Sequence, residues 1–393
     1  MAYQCLDKNR RIYYRAESAK AIMNVETLIL DFDGVLVDIS QSYNQAIIRV
    51  VDYYFLDILG LEGEKGKLIT EKDVQDFRDT GLYNNDWSLA YAAINYYLTR
   101  IIGGLRRDAL KEFLEQFGNV QFANIQDFLP LLNRVGDFLR SHGTNLSELV
   151  NTKNKADLGL NAFLAEAKKS QNPIDVPFMP RIQDRTQGVV KRLIPYDVQE
   201  DDFLRRLFEE AYLGKKFFNK FWNTPPVFGF KESLLEKESF IPAMETLDFL
   251  QSRFGKLLIY SEKPRVQGVC LLEDKNLKRY FEDRFVFQDE IFEAEKNDRG
   301  NVSYTKPNPA YFIKTIKPFK NKMIAYIGDT AADALMINNA KSEGLSNILF
   351  FGVLCSTSSP DELLSEFTMH GADVIMTDIN DIPYIINRIE GKI

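Results

Sequence analysis

Histidine is nearly missing from this chain of 393 residues. His142 and His370 are the two present, in "FLRSHG" and "FTMHGAD", polar contexts that read as helix ends or surface positions. With nothing nearby to orient either imidazole, histidine is not expected to be the base of any chemistry here. Cysteine is scarce too: Cys5, Cys270 and Cys355 are scattered without a CxxC spacing, which argues against a zinc site or a disulfide framework. No apolar run approaches membrane-spanning length. The first twenty residues, "MAYQCLDKNRRIYYRAESAK", lack an apolar signal core. Positive charge is not in excess either. The net charge of −7 provides no global field to draw nucleic acid or an acidic membrane surface. These absences leave a cytoplasmic protein as the expectation, with neither nucleic acid nor membrane as its partner.

What remains is 45% hydrophobic and 27% charged, a composition able to bury a sizeable core. The length exceeds one ordinary domain, so two are expected. From Pro242 onward, short apolar runs alternate with helical patterns. "KLLIY" (256–260), "KMIAYIG" (322–328), "NILFFGV" (347–353) and "DVIM" (373–376) read as strands; "NPAYFIKTIK" (308–317) and "AADALMINNAK" (331–341) read as helices. Such alternation predicts an α/β fold with a parallel sheet covered on both faces. The strand "ETLIL" (26–30) fits the same sheet, although it lies more than 200 residues upstream.

Between these parts the pattern is mainly helical. "SQSYNQAIIRVVDYYFLDIL" (40–59), "NDWSLAYAAINYYLTRI" (85–101), "ANIQDFLPLLNRVGDFLRSH" (123–142) and "DDFLRRLFEEAYLGKKFFNKFW" (201–222) carry apolar residues at helical spacing. Residues 143–200 are more polar, contain Pro173, Pro177, Pro180 and Pro195, and read as long loops. The expected organisation is residues 1–40 and 238–393 as an α/β core, interrupted by a helical insert over 41–237. Aromatic clusters in the insert (Tyr53, Tyr54, Phe55; Tyr96, Tyr97; Phe217, Phe218, Phe221) read as its core.

Ligands of a parallel α/β sheet bind beyond the carboxyl ends of its strands. There, "LILDFDG" places Asp31 and Asp33 after one strand, and "YSEKPR" places Ser261 after another. "GDTAAD" places Asp329 and Asp333 after a third, while Lys306 in "TKPNP" precedes a helix. This set suits phosphoryl transfer through a covalent aspartate. Residues i and i+2 of a strand share a side, so Asp31 and Asp33 can face one pocket while Phe32 turns away. A carboxylate nucleophile beside other carboxylates requires a cation, and Mg²⁺ suits an oxygen-donor set including Asp31 and Asp329. Lys306 would supply fixed positive charge and Ser261 a hydroxyl for a phosphoryl oxygen. Asp333, one turn after Asp329, would hold the waters of the metal or pair with Lys306. Asp33 would protonate the leaving group and then activate water. Gly34 permits the sharp turn that follows.

"DFDGVLVD", "YSEK", "KPNPAYF" and "GDTAAD" resemble, in order, the four motifs of the haloacid dehalogenase superfamily. The resemblance covers residues 25–40 and 238–393. It implies a Rossmann-like core with a large, mainly α-helical cap domain, close to the phosphoglycolate-phosphatase-like branch. By position it makes Asp31 the nucleophile and Asp33 the acid/base, whose backbone carbonyl also ligates Mg²⁺. It makes Ser261 the phosphate-binding residue, Lys306 the lysine, and Asp329 and Asp333 the acidic pair. Two departures stand out. The first two motifs lie 230 positions apart, well beyond a small lid, and "YSEK" has Ser-Glu where many relatives have Thr-Asn. Within the insert, "GLYNNDWSLAYAAI" and "EEAYLGKKFF" resemble a subgroup labelled imidazoleglycerol-phosphate-dehydratase-like, a label that carries no activity by itself.

Asn84, Asn85, Asp86 and Trp87 have two readings: a polar lid loop meeting the substrate, or a helix N-terminus with a packing tryptophan. Arg265 has two as well, as a ligand of a second anionic group or as a solvent-facing residue. The resemblance implies a Mg²⁺-dependent phosphatase acting on a small phosphorylated metabolite. A phosphomutase shares every core residue, and a non-catalytic scaffold belongs to another class. Asp33 is the discriminating residue, because dehalogenases work without it and transport ATPases carry Thr at that position.

Overall fold

The computed structural model describes residues 2–78, 80, 82–83, 85–153, 159–169, 188–195, 203–255, 257–298, 302–357 and 359–391. The chain forms two compact units, Met1–Ser40 with Glu238–Ile393, and Gln41–Lys237.

Among the described residues, the first unit contains ten strands: β1 (Tyr3–Asp7), β2 (Ile12–Arg15), β3 (Val25–Leu30), β4 (Val37–Asp38), β5 (Ser239–Phe240), β6 (Leu257–Tyr260), β7 (Phe281–Val286), β8 (Met323–Gly328), β9 (Ile348–Val353) and β10 (Val374–Met376). Eight of them form one sheet in the order β1-β2-β10-β9-β8-β3-β6-β7. From β10 to β7 every pairing is parallel. The four residues of β6 and all six of β9 are buried, as near-continuous apolar strands covered on both faces must be. The sheet departs from the sequence reading at its edges. β7 is a parallel strand that the mixed pattern "FEDRFV" concealed, and β1 and β2 add an antiparallel hairpin beyond β10. Their half-exposed, polar-interspersed sequences carry no uniform apolar run.

After the β1–β2 hairpin at one edge, the chain crosses to β3, in the middle of the sheet. It builds outward through β6 and β7, then returns to the other side of β3 for β8, β9 and β10. Connections on the two sides of the β3–β8 pair therefore diverge, opening a crevice at the carboxyl ends of these strands. Leu30 stands level with Ile259 of β6 and Ile327 of β8, so the residues that follow all three strands emerge side by side. Ile29, Tyr260, Phe312, Tyr326 and Phe350 pack in one core cluster beneath them. A second, two-stranded ribbon pairs β4 with β5, antiparallel, with Asp38 opposite Ser239.

The second unit is helical. Its long helices are Asp86–Gly104, Ile125–Ser141 and Phe203–Trp222. The helix Tyr43–Asp52 continues as a wider π-helical turn over Tyr53–Ile58. Within 143–200, short helices occupy Leu146–Asn151, Leu160–Lys169 and Val189–Leu193 where long loops were expected; Pro173, Pro177 and Pro180 lie outside the described residues. Tyr54, Phe55, Tyr96, Tyr97, Phe217 and Phe218 are buried, as their helical spacing predicted, whereas Tyr53 and Phe221 are half-buried. Gly214 breaks the helix Phe203–Trp222 at φ 62°, ψ 173°, and a Cβ there would lie 2.7 Å from the carbonyl carbon of Glu232. Only glycine meets both conditions. Both histidines follow helix ends, His142 after Ile125–Ser141 and His370 after Pro360–Met369. No helix among the described residues is long and apolar enough to cross a membrane.

Candidate active site

β3 ends at Leu30, and the Asp31 amide still donates to the Ile327 carbonyl of β8 (2.9 Å). The strand geometry thus carries Asp31 one step past the ladder, into the crevice. Its Oδ1 accepts the next amide, that of Phe32, at 2.7 Å, and its Oδ2 meets Lys306 Nζ. Phe32 turns inward and is fully buried against Phe240 and Phe287, as the alternation of side chains requires. Gly34 follows at φ 74°, its amide donating to the Val37 carbonyl. A Cβ on Gly34 would lie 1.9 Å from Asp329 Oδ2, so the turn closes directly over that carboxylate.

Asp329 follows β8 and is helped into place by the helix Ala331–Ser342. Thr330 caps that helix, and Asp333 completes the capping box. Asp333 Oδ2 accepts from the Asp329 and Thr330 amides (3.2 and 3.1 Å) and from Thr330 Oγ1 (2.7 Å). Its Oδ1 accepts from Tyr326 Oη (3.0 Å) and pairs with Lys306 Nζ (2.7 Å). Carboxylate oxygens of Asp31, Asp329 and Asp333 all lie within 4.8 Å of one another, a grouping able to hold a metal ion. Asp333 has no exposed surface, whereas Asp31 and Asp329 keep some, so these two are the side chains that could face a ligand. Of the two roles open to Asp333 from sequence, the structure shows the pairing with Lys306.

The balance of charge bears on what this cluster could hold. Burial pushes the carboxyls of Asp31 and Asp329 up, and the neighbouring Asp333 adds to the effect in both. Lys306 opposes it. Burial alone would lower the lysine, but Asp31 and Asp333 hold its ammonium protonated well above the usual range. One ammonium against three carboxylates leaves a net negative, oxygen-only pocket. That donor set fits a hard divalent cation such as Mg²⁺.

Ser261 follows β6, is almost wholly buried, and continues the ladder by donating its amide to Val286. Asp33 lies beyond the end of β3, and its Oδ1 meets Lys263 Nζ at 2.8 Å. Burial pushes its carboxyl up to about 7, against the pull of Lys263. Glu262, the departure in "YSEK", accepts the Lys306 amide at 2.6 Å and so anchors the lysine-bearing loop. Sequence reasoning missed Glu262, Lys263 and Tyr326. The first two stood inside a quoted motif without a role, and Tyr326 is spaced like any other strand residue.

The structure does not direct Arg265 toward a second anion. Its guanidinium meets Glu290 (2.5 Å) and the Phe285 carbonyl (2.9 Å), at the start of the helix Arg265–Asp274. In the second unit, Asn85 caps the helix Asp86–Gly104 by accepting from the Trp87 and Ser88 amides. Asp86 pairs with Arg78 at 2.5 Å, and Trp87 is buried beneath the Arg205 guanidinium. Helix capping and packing therefore account for these three; Asn84 lies outside the described residues.

The haloacid dehalogenase-like hydrolase family model matches residues 25–341. The chain belongs to that family. A Northeast Structural Genomics Consortium target shares its fold at a TM-score of 0.68 and 17% identity, covering 93% of this chain and 99% of that one. A phosphatase from Thermococcus thioreducens aligns over 93% of this chain and 99% of its own, at 19% identity and a TM-score of 0.46. An imidazoleglycerol-phosphate dehydratase from Phytophthora nicotianae is 34% identical over 70 residues, 18% of this chain and 13% of that protein's length. So short a match transfers no activity to this haloacid dehalogenase-like hydrolase.

Proposed function

We propose that this hydrolase is a Mg²⁺-dependent phosphomonoesterase acting on a small phosphate ester through a phosphoryl group carried on Asp31. The observation that carries the proposal is the placement of Asp31 between Lys306 and the acidic cluster, at the carboxyl ends of adjacent strands β3 and β8. Asp31 attacks phosphorus; its bond to phosphorus forms as the ester P–O bond breaks, and Asp33 gives a proton to the departing oxygen. In the second half, water attacks the phosphoryl group, Asp33 takes its proton, and Asp31 is released with inorganic phosphate. Lys306 holds the nucleophile and offsets phosphate charge, and the Ser261 hydroxyl binds a phosphoryl oxygen. Asp31, the Asp33 backbone carbonyl and Asp329 would hold Mg²⁺, with Asp333 fixing Asp329. Mg²⁺, when bound, neutralises charge on the carboxylates and the phosphate.

Choice among phosphate esters is assigned to the insert over 41–237, which lies outside the four motifs. Purified protein is expected to release phosphate from 4-nitrophenyl phosphate with Mg²⁺ and to lose that activity with EDTA. Asp31→Asn is expected to lower kcat by about 10⁴-fold or more. Activity that survives in Asp31→Asn, or that ignores the chelator, would sink the mechanism. Phosphorus NMR on sugar phosphates separates release of inorganic phosphate from transfer between positions.

A further inference from the structure

Lys263 is a lysine with no exposed side-chain surface, held between two carboxylates. Its Nζ lies 2.8 Å from Asp33 Oδ1 and 3.1 Å from Glu238 Oε2, and the Glu238 side chain is likewise without exposed surface. The pair joins two places 25 residues apart in the chain. Glu238 immediately precedes β5, and Lys263 follows β6 by three residues. The backbone at Lys263 is fixed on both sides, its amide donating to Ser261 Oγ (3.3 Å) and its carbonyl accepting from the Gln288 amide (3.1 Å). Its ammonium also stands over the Phe32 ring, 5.9 Å from the centroid. Burying an ammonium and a carboxylate is costly, and an apolar pair of the same volume is often as stable. The fold gains little from this pair that leucine and methionine would not supply. What the pair does provide is a cation at a fixed point against one oxygen of Asp33.

We propose that Lys263 and Glu238 are positioning residues for Asp33: Glu238 anchors Lys263, and Lys263 holds Asp33 Oδ1 so that Oδ2 is presented for proton transfer. The inference rests on the acid/base reading of Asp33 given above. A carboxyl group bonded through Oδ1 cannot swing about χ1 or χ2 without losing a buried charge contact, so the proton stays at one atom. When the ester P–O bond breaks, that proton passes from Oδ2 to the leaving oxygen while Asp31 takes the phosphoryl group. Mispositioning Asp33 should therefore be felt in proportion to how much the leaving group needs the proton.

The experiment measures kcat/KM with Mg²⁺ for 2,4-dinitrophenyl, 4-nitrophenyl, phenyl and alkyl phosphates. The proteins are the full-length wild type, Lys263→Met, and the double variant Lys263→Met/Glu238→Gln. The double variant removes both buried charges, so it remains informative if Lys263→Met alone fails to fold. The expected result is a loss of about 100-fold on alkyl and phenyl phosphates and about threefold or less on 2,4-dinitrophenyl phosphate. Adding Lys263→Met to Asp33→Asn should cost nothing further, because a residue acting through Asp33 has nothing left to act on. An equal loss on all four substrates, or an additive loss in the Asp33→Asn background, overturns the inference while leaving the phosphatase reading intact. A wild-type protein that hydrolyses none of them overturns both.

Discussion

Asp31 and Asp33 sit two residues apart, yet the fold gives each its own cation. Asp31 faces Lys306 and the acidic cluster, and Asp33 faces Lys263. Repulsion between two carboxylates at one strand end is thereby divided, and the two groups are prepared for different work. Another buried aspartate carries a testable electrostatic cost. Asp52, in the helix Tyr43–Asp52, accepts the Gly66 amide at 2.6 Å while burial pushes its carboxyl from 3.8 up to about 6. Between those values the folded state holds the proton more tightly than the unfolded chain does. Stability from this group is therefore complete below pH 3.8 and lost as pH rises through 6. Asp52→Asn removes the loss. Its melting temperature at pH 8 is expected to exceed that of the parent by about 2 °C, or about 1 kcal/mol after allowing for solvent screening. The advantage should disappear at pH 4, and a variant that gains equally at both pH values would show that ionisation is not the cause.

Among elements, the helix Phe203–Trp222 shows how one residue organises a stretch of irregular chain. Glu210 is fully buried, and its carboxylate accepts the Val227 amide (2.9 Å) and the Phe228 amide (2.7 Å) while pairing with Arg206 at 2.8 Å. These contacts pin the segment that follows the helix back onto it, and the Gly214 kink allows the chain to pass Glu232 and Ser233. Glu210→Ala leaves two amides and a guanidinium without their acceptor. The expected cost is about 3 kcal/mol, read from the urea midpoint, with Glu210→Gln costing about half. A change below about 0.5 kcal/mol would mean that water replaces the carboxylate there without penalty.

At the scale of the whole molecule, one unit is assembled from two segments of chain separated by an insert of its own size. The ends of the insert meet where β4 pairs with β5, with Val37 opposite Phe240 and the Ile241 amide bonded to the Leu36 carbonyl. Replacing residues 41–237 with Asn-Gly leaves a five-residue connection between Asp38 and Ser239, a common hairpin length, and should therefore leave the first unit able to fold. The expected outcome is a single cooperative thermal transition with the circular dichroism of a mixed α/β protein. A non-cooperative melt would show that this unit takes its stability from the insert.

Much of this was legible in the sequence, and the reasons are local. β3, β6, β8 and β9 are buried on both faces, so their apolar runs announce themselves. Asp31, Asp33, Ser261 and Asp329 follow strand ends directly, so their placement comes with the strands. β1 and β7 were hidden because edge strands need no uniform apolar pattern, and β2, between β1 and β10, is half-exposed and carries no apolar run either. Asn85 illustrates a different limit, since an Asn before a helix reads the same whether it caps or binds. The folded chain shows the local cap at Asn85, and tertiary contact decided that Arg265 spends its charge on Glu290. Sequence by itself determined the strand ends and the carboxylates they carry, because strand period and helix caps act over a few residues. Which cation meets which carboxylate was decided only by the folded chain, because Lys306 comes to Asp31, and Glu238 and Lys263 come to Asp33, from more than 200 residues away.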